Sequence, residues 1–180
     1  VNLLLSIAQV IIGVLAQSQA LLADAVHSLS DLLSDFVVLF ANKHSQKAPD
    51  AEHHYGHLRF ETAASLALGV LMLAVAAGML WVGINKLQDP GAIGPVHYSA
   101  VIAAAITLVA KEGLFRYLLR VGQRAKSSML IANAWHARSD AASSLVVLLG
   151  VGASVAGFPL ADPIAALIVA LMIGRMGWKF

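Results

Sequence analysis

Cysteine is absent from the 180 residues, which excludes disulfides and thiolate ligands and leaves His, Asp and Glu to hold any metal ion. Charge is scarce too: Asp, Glu, Lys and Arg make up 12% of the chain, where an ordinary soluble domain carries about 25%. With 59% hydrophobic residues and a mean hydropathy of +0.78, the implied solvent is lipid. Serial ten-residue alternation is also missing, which disfavours a transmembrane barrel. No charged leader with a cleavage site is visible, and the chain opens at Val1, without methionine, inside an apolar segment. An N-terminal truncation is therefore expected. A formal charge of +2 says little by itself, and no nucleic-acid partner is expected.

What the chain does have is apolar runs suited to a hydrocarbon core of about 30 Å, which a helix of about 20 residues crosses. Six helices are expected, at about 1–16, 19–41, 60–87, 96–119, 127–155 and 160–178. The polar Gln17, Ser18 and Gln19 suit a tight hairpin between the first two. The most polar stretch, Asn42 to Arg59, belongs in water. Asp89-Pro90-Gly91 ends the third helix, because proline cannot donate to the helix ladder. The turn before the sixth is Gly157-Phe158-Pro159, and Gly174-x-x-Gly177 is a weak signal of close helix packing. The fold class is thus an all-α membrane protein, a six-helix transmembrane bundle. Lys43, Lys47, Arg59, Arg116, Arg120, Arg124, Lys126, Arg175 and Lys179 fall on one side, against Lys86 alone on the other. By the positive-inside rule both termini and the His-rich loop are cytoplasmic.

Within the second helix, LLADAVHSLSDLLSD puts Asp24, His27, Asp31 and Asp35 in roughly an 80° sector at 100° per residue. In water this would be an ordinary wet face. In lipid each Asp near the centre of a span costs about 2.5–3.5 kcal/mol, so the stripe needs partners. The fifth helix offers them: NAWHARSDAASS places Asn133, His136, Asp140 and Ser143 on one face. At about 1.5 Å per residue, His27 and Asp31 lie roughly 12 and 18 Å below the outer surface, and His136 and Asp140 roughly 13 and 19 Å above the inner one. All four fall near the midplane. A lone His-x3-Asp pair is most often an internal hydrogen-bonded pair; two at matched depth point to ligation.

Two imidazoles and two carboxylates suit tetrahedral Zn²⁺, whose charge the carboxylates cancel. Protons compete with metal for the same side chains, which is the physical basis of an exchanger. Asp24 is expected nearer the outer end, as an access-path carboxylate or a solvated helix-start residue. Asp35 and Asn133 are candidates for supporting or vestibule groups. Lys111 and Glu112, in the inner part of helix four, read as structural, through a charge pair with another helix or snorkelling. Arg138 points away from His136, and Trp81 and Trp178 read as interfacial anchors.

Taken in order, LLADAVHSLSDLLSD, DAEHHYGHLRFE, AKEGLFRYL, SSMLIANAWHARSDAASSLVVLLG and LADPIAALIVAL closely resemble the membrane domain of the cation diffusion facilitator family, over essentially the whole chain. The resemblance implies a six-helix homodimeric transporter, exporting a divalent transition metal from the cytoplasm in exchange for protons, with His27, Asp31, His136 and Asp140 as the transport site. The His-Asp, His-Asp quartet is the version associated mainly with zinc; Co²⁺, Cd²⁺ or Fe²⁺ are the other cargoes it would admit. A second metal site in some members follows Asp-x2-His-x3-His, which Asp50, His53 and His57 match, with His54 as an alternative ligand. Most members continue into a soluble metal-binding domain; the chain ends at Phe180 without one.

A multi-pass protein of the bacterial inner membrane is expected, and not an enzyme. Two competing functions remain. An intramembrane zinc hydrolase would keep three protein ligands and an open position, whereas four are available here. A membrane metal sensor would need binding without flux.

Overall fold

In lipid no water satisfies the backbone, so each apolar stretch must close its own hydrogen bonds as a helix. The computed structural model describes residues 2–45, 59–89 and 93–179, and those residues form helices and short connections with no strand among them. The helices are α1 (Asn2–Leu15), α2 (Gln19–Ser45), α3 (Arg59–Gln88), α4 (Tyr98–Arg124), α5 (Ser128–Val155) and α6 (Ala161–Gly177). By length and composition α3, α4 and α5 can each cross a membrane; α2 has the length, and carboxylates set it apart. Together they form an all-α membrane bundle. α2 and α4 outrun the expected ends at 41 and 119, because Asn-Lys-His and Arg-Val-Gly-Gln-Arg leave the lipid without breaking the helix. Lys111 consequently sits at the middle of α4 rather than toward one end.

Three of the hairpin turns close in the same way. Ser18 N–H donates to Gly13 O and Gln17 N–H to Val14 O, the paired bonds of a Schellman cap. Ser127 and Lys126 repeat the pattern on Gly122 and Gln123, as do Phe158 and Gly157 on Ala153 and Ser154. The residue in the left-handed position is Gly157 (φ 107°) in one turn but Gln17 (φ 58°) and Lys126 (φ 48°) in the others.

α2 is the hub, packing against α1, α3, α5 and α6, while α3 pairs with α6 and α4 with α5. The core is built largely of alanine, including Ala20, Ala23, Ala100, Ala104, Ala165 and Ala170, with Leu21, Val147, Val169 and Ile173. Between helices in lipid such small residues let backbones approach closely. A Cβ at Gly150 would strike that of Ala165, and one at Gly177 would lie 2.8 Å from Met72 Cβ. Gly174 faces Ala76 of α3, so both glycines of the Gly174-x-x-Gly177 motif serve the α3–α6 seam. Large apolar side chains such as Leu4, Ile11, Leu66, Val109, Leu149 and Leu171 cover the outside, and Trp81 and Trp178 project outward.

Candidate metal site

The first amides of a helix have no partners within it. For α2 they are supplied from α6: buried Asp162 accepts from Gln19 N–H at 2.7 Å, from Ala20 N–H at 3.3 Å and from the Ser18 hydroxyl. Ser18 Oγ in turn accepts from Leu21 N–H, as an N-cap does. This brace fixes where α2 starts and hence the height of everything along it. The sequence signal was an Asp-Pro at a helix start, which carries no hint that its partner is another helix.

One turn along lies Asp24. Its side chain is fully buried and lies within hydrogen-bond distance of four others: Gln9 Nε2 (2.7 Å), Lys111 Nζ (3.1 and 3.3 Å), Ser143 Oγ (3.2 Å) and Ser144 Oγ (2.8 Å). This corrects both expectations for Asp24. It is no access-path or solvated group but a buried carboxylate that joins α1, α2, α4 and α5. The sequence does not show that α4's lysine and α5's serines converge on it. Each serine has one proton to donate. The distances assign Ser144's to Asp24, and Ser143's to the Asp140 carbonyl at 2.7 Å.

Beyond Asp24 the α2 stripe meets α5. Among the described residues, His27, Asp31 and Asp140 bring one ligand atom each within 4.8 Å of one another. His27 is buried and Asp31 nearly so, with 12% of its side chain exposed. His27 Nδ1 and Asp31 Oδ2 stand 3.7 Å apart, too far for a hydrogen bond. His27 Nδ1 and Asp31 Oδ1 are buried without a hydrogen-bond partner. Buried polar atoms left unpaired are uncommon, and here two belong to cation-ligating residues of the trio. In a tetrahedral Zn²⁺ site ligand atoms lie about 3.4 Å apart, so a small closure would seat an ion.

His136 does not join that trio. α5 runs antiparallel to α2, which sets Asp140 at the level of His27 and His136 at that of Asp31. There it is exposed, lining two cavities that flank the trio. The smaller, about 120 Å³, is bordered by Asp31, Asp35, Lys111, Asn133, His136 and Asp140. The larger, about 530 Å³, runs from His27 and Asp140 past Met172 to Arg175 and Lys179. Both reach toward the α4–α5 turn and the C-terminal end of α6. Asp35 and Asn133 thus stand at a cavity mouth. Asp50, His53 and His57, with His54, lie outside the described residues. Lys111 pairs with Asp24, Glu112 with Arg116 at 2.8 Å, and Arg138 lies over the Phe115 and Trp135 rings.

Lipid-facing helices around an interior set of carboxylates and imidazoles define the class: a polytopic all-α membrane protein with ionisable groups in its middle. More narrowly, the chain belongs to the cation efflux family, for residues 1–180 match the family model described as the cation efflux transmembrane domain. It is 38% identical over 189 residues to metal tolerance protein C1 of Arabidopsis thaliana, covering 97% of this chain and 40% of that one. It is 37% identical over 167 residues to the magnetosome protein MamB of Paramagnetospirillum magneticum, covering 93% and 56%. Mitochondrial metal transporter 2 of Saccharomyces cerevisiae is 31% identical over 200 residues, covering 98% and 41%. The chain spans about half the length of these relatives. The family is one of transporters, not of enzymes, which removes the hydrolase reading.

Proposed function

We propose that this domain carries a divalent transition metal ion across the membrane in exchange for protons. Zn²⁺ is the first choice of cargo, ahead of Co²⁺, Cd²⁺ and Fe²⁺. His27, Asp31, Asp140 and His136 form its transport site. The observation that carries this reading is the convergence of His27, Asp31 and Asp140, two of which, His27 at Nδ1 and Asp31 at Oδ1, keep a buried atom without a hydrogen-bond partner. Borderline nitrogen and oxygen donors with two negative charges suit zinc, and ligation needs deprotonated groups, so protons and metal exclude each other. In this reading His136, one turn nearer the cavity mouth, receives the ion and becomes the fourth ligand. The cavities reach the side that the basic residues mark as cytoplasmic, while the Asp24 and Asp162 networks close the other, an arrangement that suits cytoplasmic loading and outward release. Asp50, His53 and His57 would form a second metal site in the loop after α2. The functional unit is a homodimer in the cytoplasmic membrane of a bacterium.

Reconstitution into vesicles with a zinc dye and a pH dye inside tests the reading. Zinc entry with opposite proton movement is expected, and Asp140→Ala should abolish both while the protein stays folded. Asp31→Ala and His136→Ala should each weaken Zn²⁺ binding. Normal transport in either would sink the four-ligand site, and binding without flux would make the protein a sensor.

A further inference from the structure

Between α4 and α5, on the face turned away from the candidate metal site, runs a groove of about 630 Å³. One end is apolar, walled by Leu108, Val109 and Leu145; the other carries Glu112, Arg116 and Arg138. Because the helices are antiparallel, all three charged residues lie toward the α4–α5 turn. The floor is open at Gly113, where an added Cβ would meet nothing within 4 Å.

This charge sits at a costly depth. Arg138 is roughly 15 Å along α5, and an Arg that faces hydrocarbon must be paired or snorkel. Glu112 is taken by Arg116 at 2.8 Å, and Arg138 has no carboxylate partner among the described residues. Its guanidinium lies 5.0 Å from the Phe115 centroid and 5.4 Å from that of Trp135. The rings orient the cation and leave its charge uncancelled. Two guanidiniums against one carboxylate leave the groove short of one negative charge. A phosphodiester supplies one, and Arg forks suit its oxygens.

We propose that the groove binds one anionic phospholipid from the leaflet on the α4–α5 turn side. Its phosphate sits between Arg116 and Arg138, and an acyl chain lies along Val109 and Leu145 toward the midplane. The polarity of the groove runs parallel to that of a lipid in that leaflet. Arg120, Arg124 and Lys126 just beyond would draw anionic headgroups to the same place. A zwitterionic headgroup would bring its own cation against the excess positive charge, so the net charge of the lipid matters.

Native mass spectrometry of the full chain, titrated with dioleoylphosphatidylglycerol or dioleoylphosphatidylcholine, tests this. One phosphatidylglycerol per chain should be retained in preference to phosphatidylcholine. Arg116→Gln with Arg138→Gln should weaken it about tenfold and erase the preference. Gly113→Leu, which fills the floor, should weaken both lipids. If the double variant fails to fold, Glu112→Gln serves in its place, since it frees Arg116 and should tighten phosphatidylglycerol. Unchanged phosphatidylglycerol binding in these variants would overturn the proposal. So would displacement by inorganic phosphate alone, or disulfide crosslinking of Val109→Cys between chains, which would put a second copy in the groove.

Discussion

Asp24 and Asp31 lie two turns apart on one helix, and their surroundings differ in kind. Asp24 is saturated with donors, including an ammonium; Asp31 keeps a buried oxygen with none. The first is spent on structure, the second is free for a ligand. Burying the Asp24–Lys111 pair contributes little net stability, because desolvation offsets the attraction, but breaking it strands a charge. Asp24→Asn should therefore destabilise the protein by about 3–5 kcal/mol, read from unfolding in detergent. Adding Lys111→Met should recover much of that loss, since no unpaired charge then remains. A double variant no more stable than the single would show that the pair is not the cause.

At the scale of elements, the turns and seams set where each ligand stands. Gln17 and Lys126 hold left-handed conformations that cost a side-chain-bearing residue about 1 kcal/mol or more. Lys126→Gly should raise stability by up to about 1 kcal/mol in the same unfolding experiment, by relieving that strain. Gly150→Ala should cost about 1–3 kcal/mol, because its Cβ meets Ala165 and forces α5 from α6. Gly78→Ala meets nothing within 4 Å and should be neutral or stabilising. Equal effects at Gly78 and Gly150 would mean that helix propensity, not close approach, decides both.

At the scale of the molecule, the two ends of the bundle are unequal. Near the α1–α2 turn, Asp162, Ser18 and Asp24 with its donors close the interior; toward the α4–α5 turn, two cavities lead to the trio. The absence of native cysteine makes this readily measured. Asn133→Cys should react with a membrane-impermeant thiol reagent applied from the α4–α5 side, and Zn²⁺ should slow the reaction. Ala20→Cys, at a position with no exposed surface, should stay unreactive from either side. Labelling of Ala20→Cys in the resting protein would contradict a closed end.

Hydropathy and helix breakers act locally, so the order of residues was enough to mark out six helices in lipid. It also placed two His-x3-Asp pairs at matching depth, since depth along a helix is only residue count times rise. What it left open were the contacts between helices. Asp24, His27 and Asp31 share one stripe, and periodicity treats them alike. Only the packing of the helices shows which of them meets Lys111 and the α5 serines and which meets Asp140. The same holds for Asp162, whose partner lies at the other end of the chain, and for His136, which is exposed to the flanking cavities instead of packed with the trio. Burial of a charge is decided by what lies across from it, and that is a property of the packed bundle.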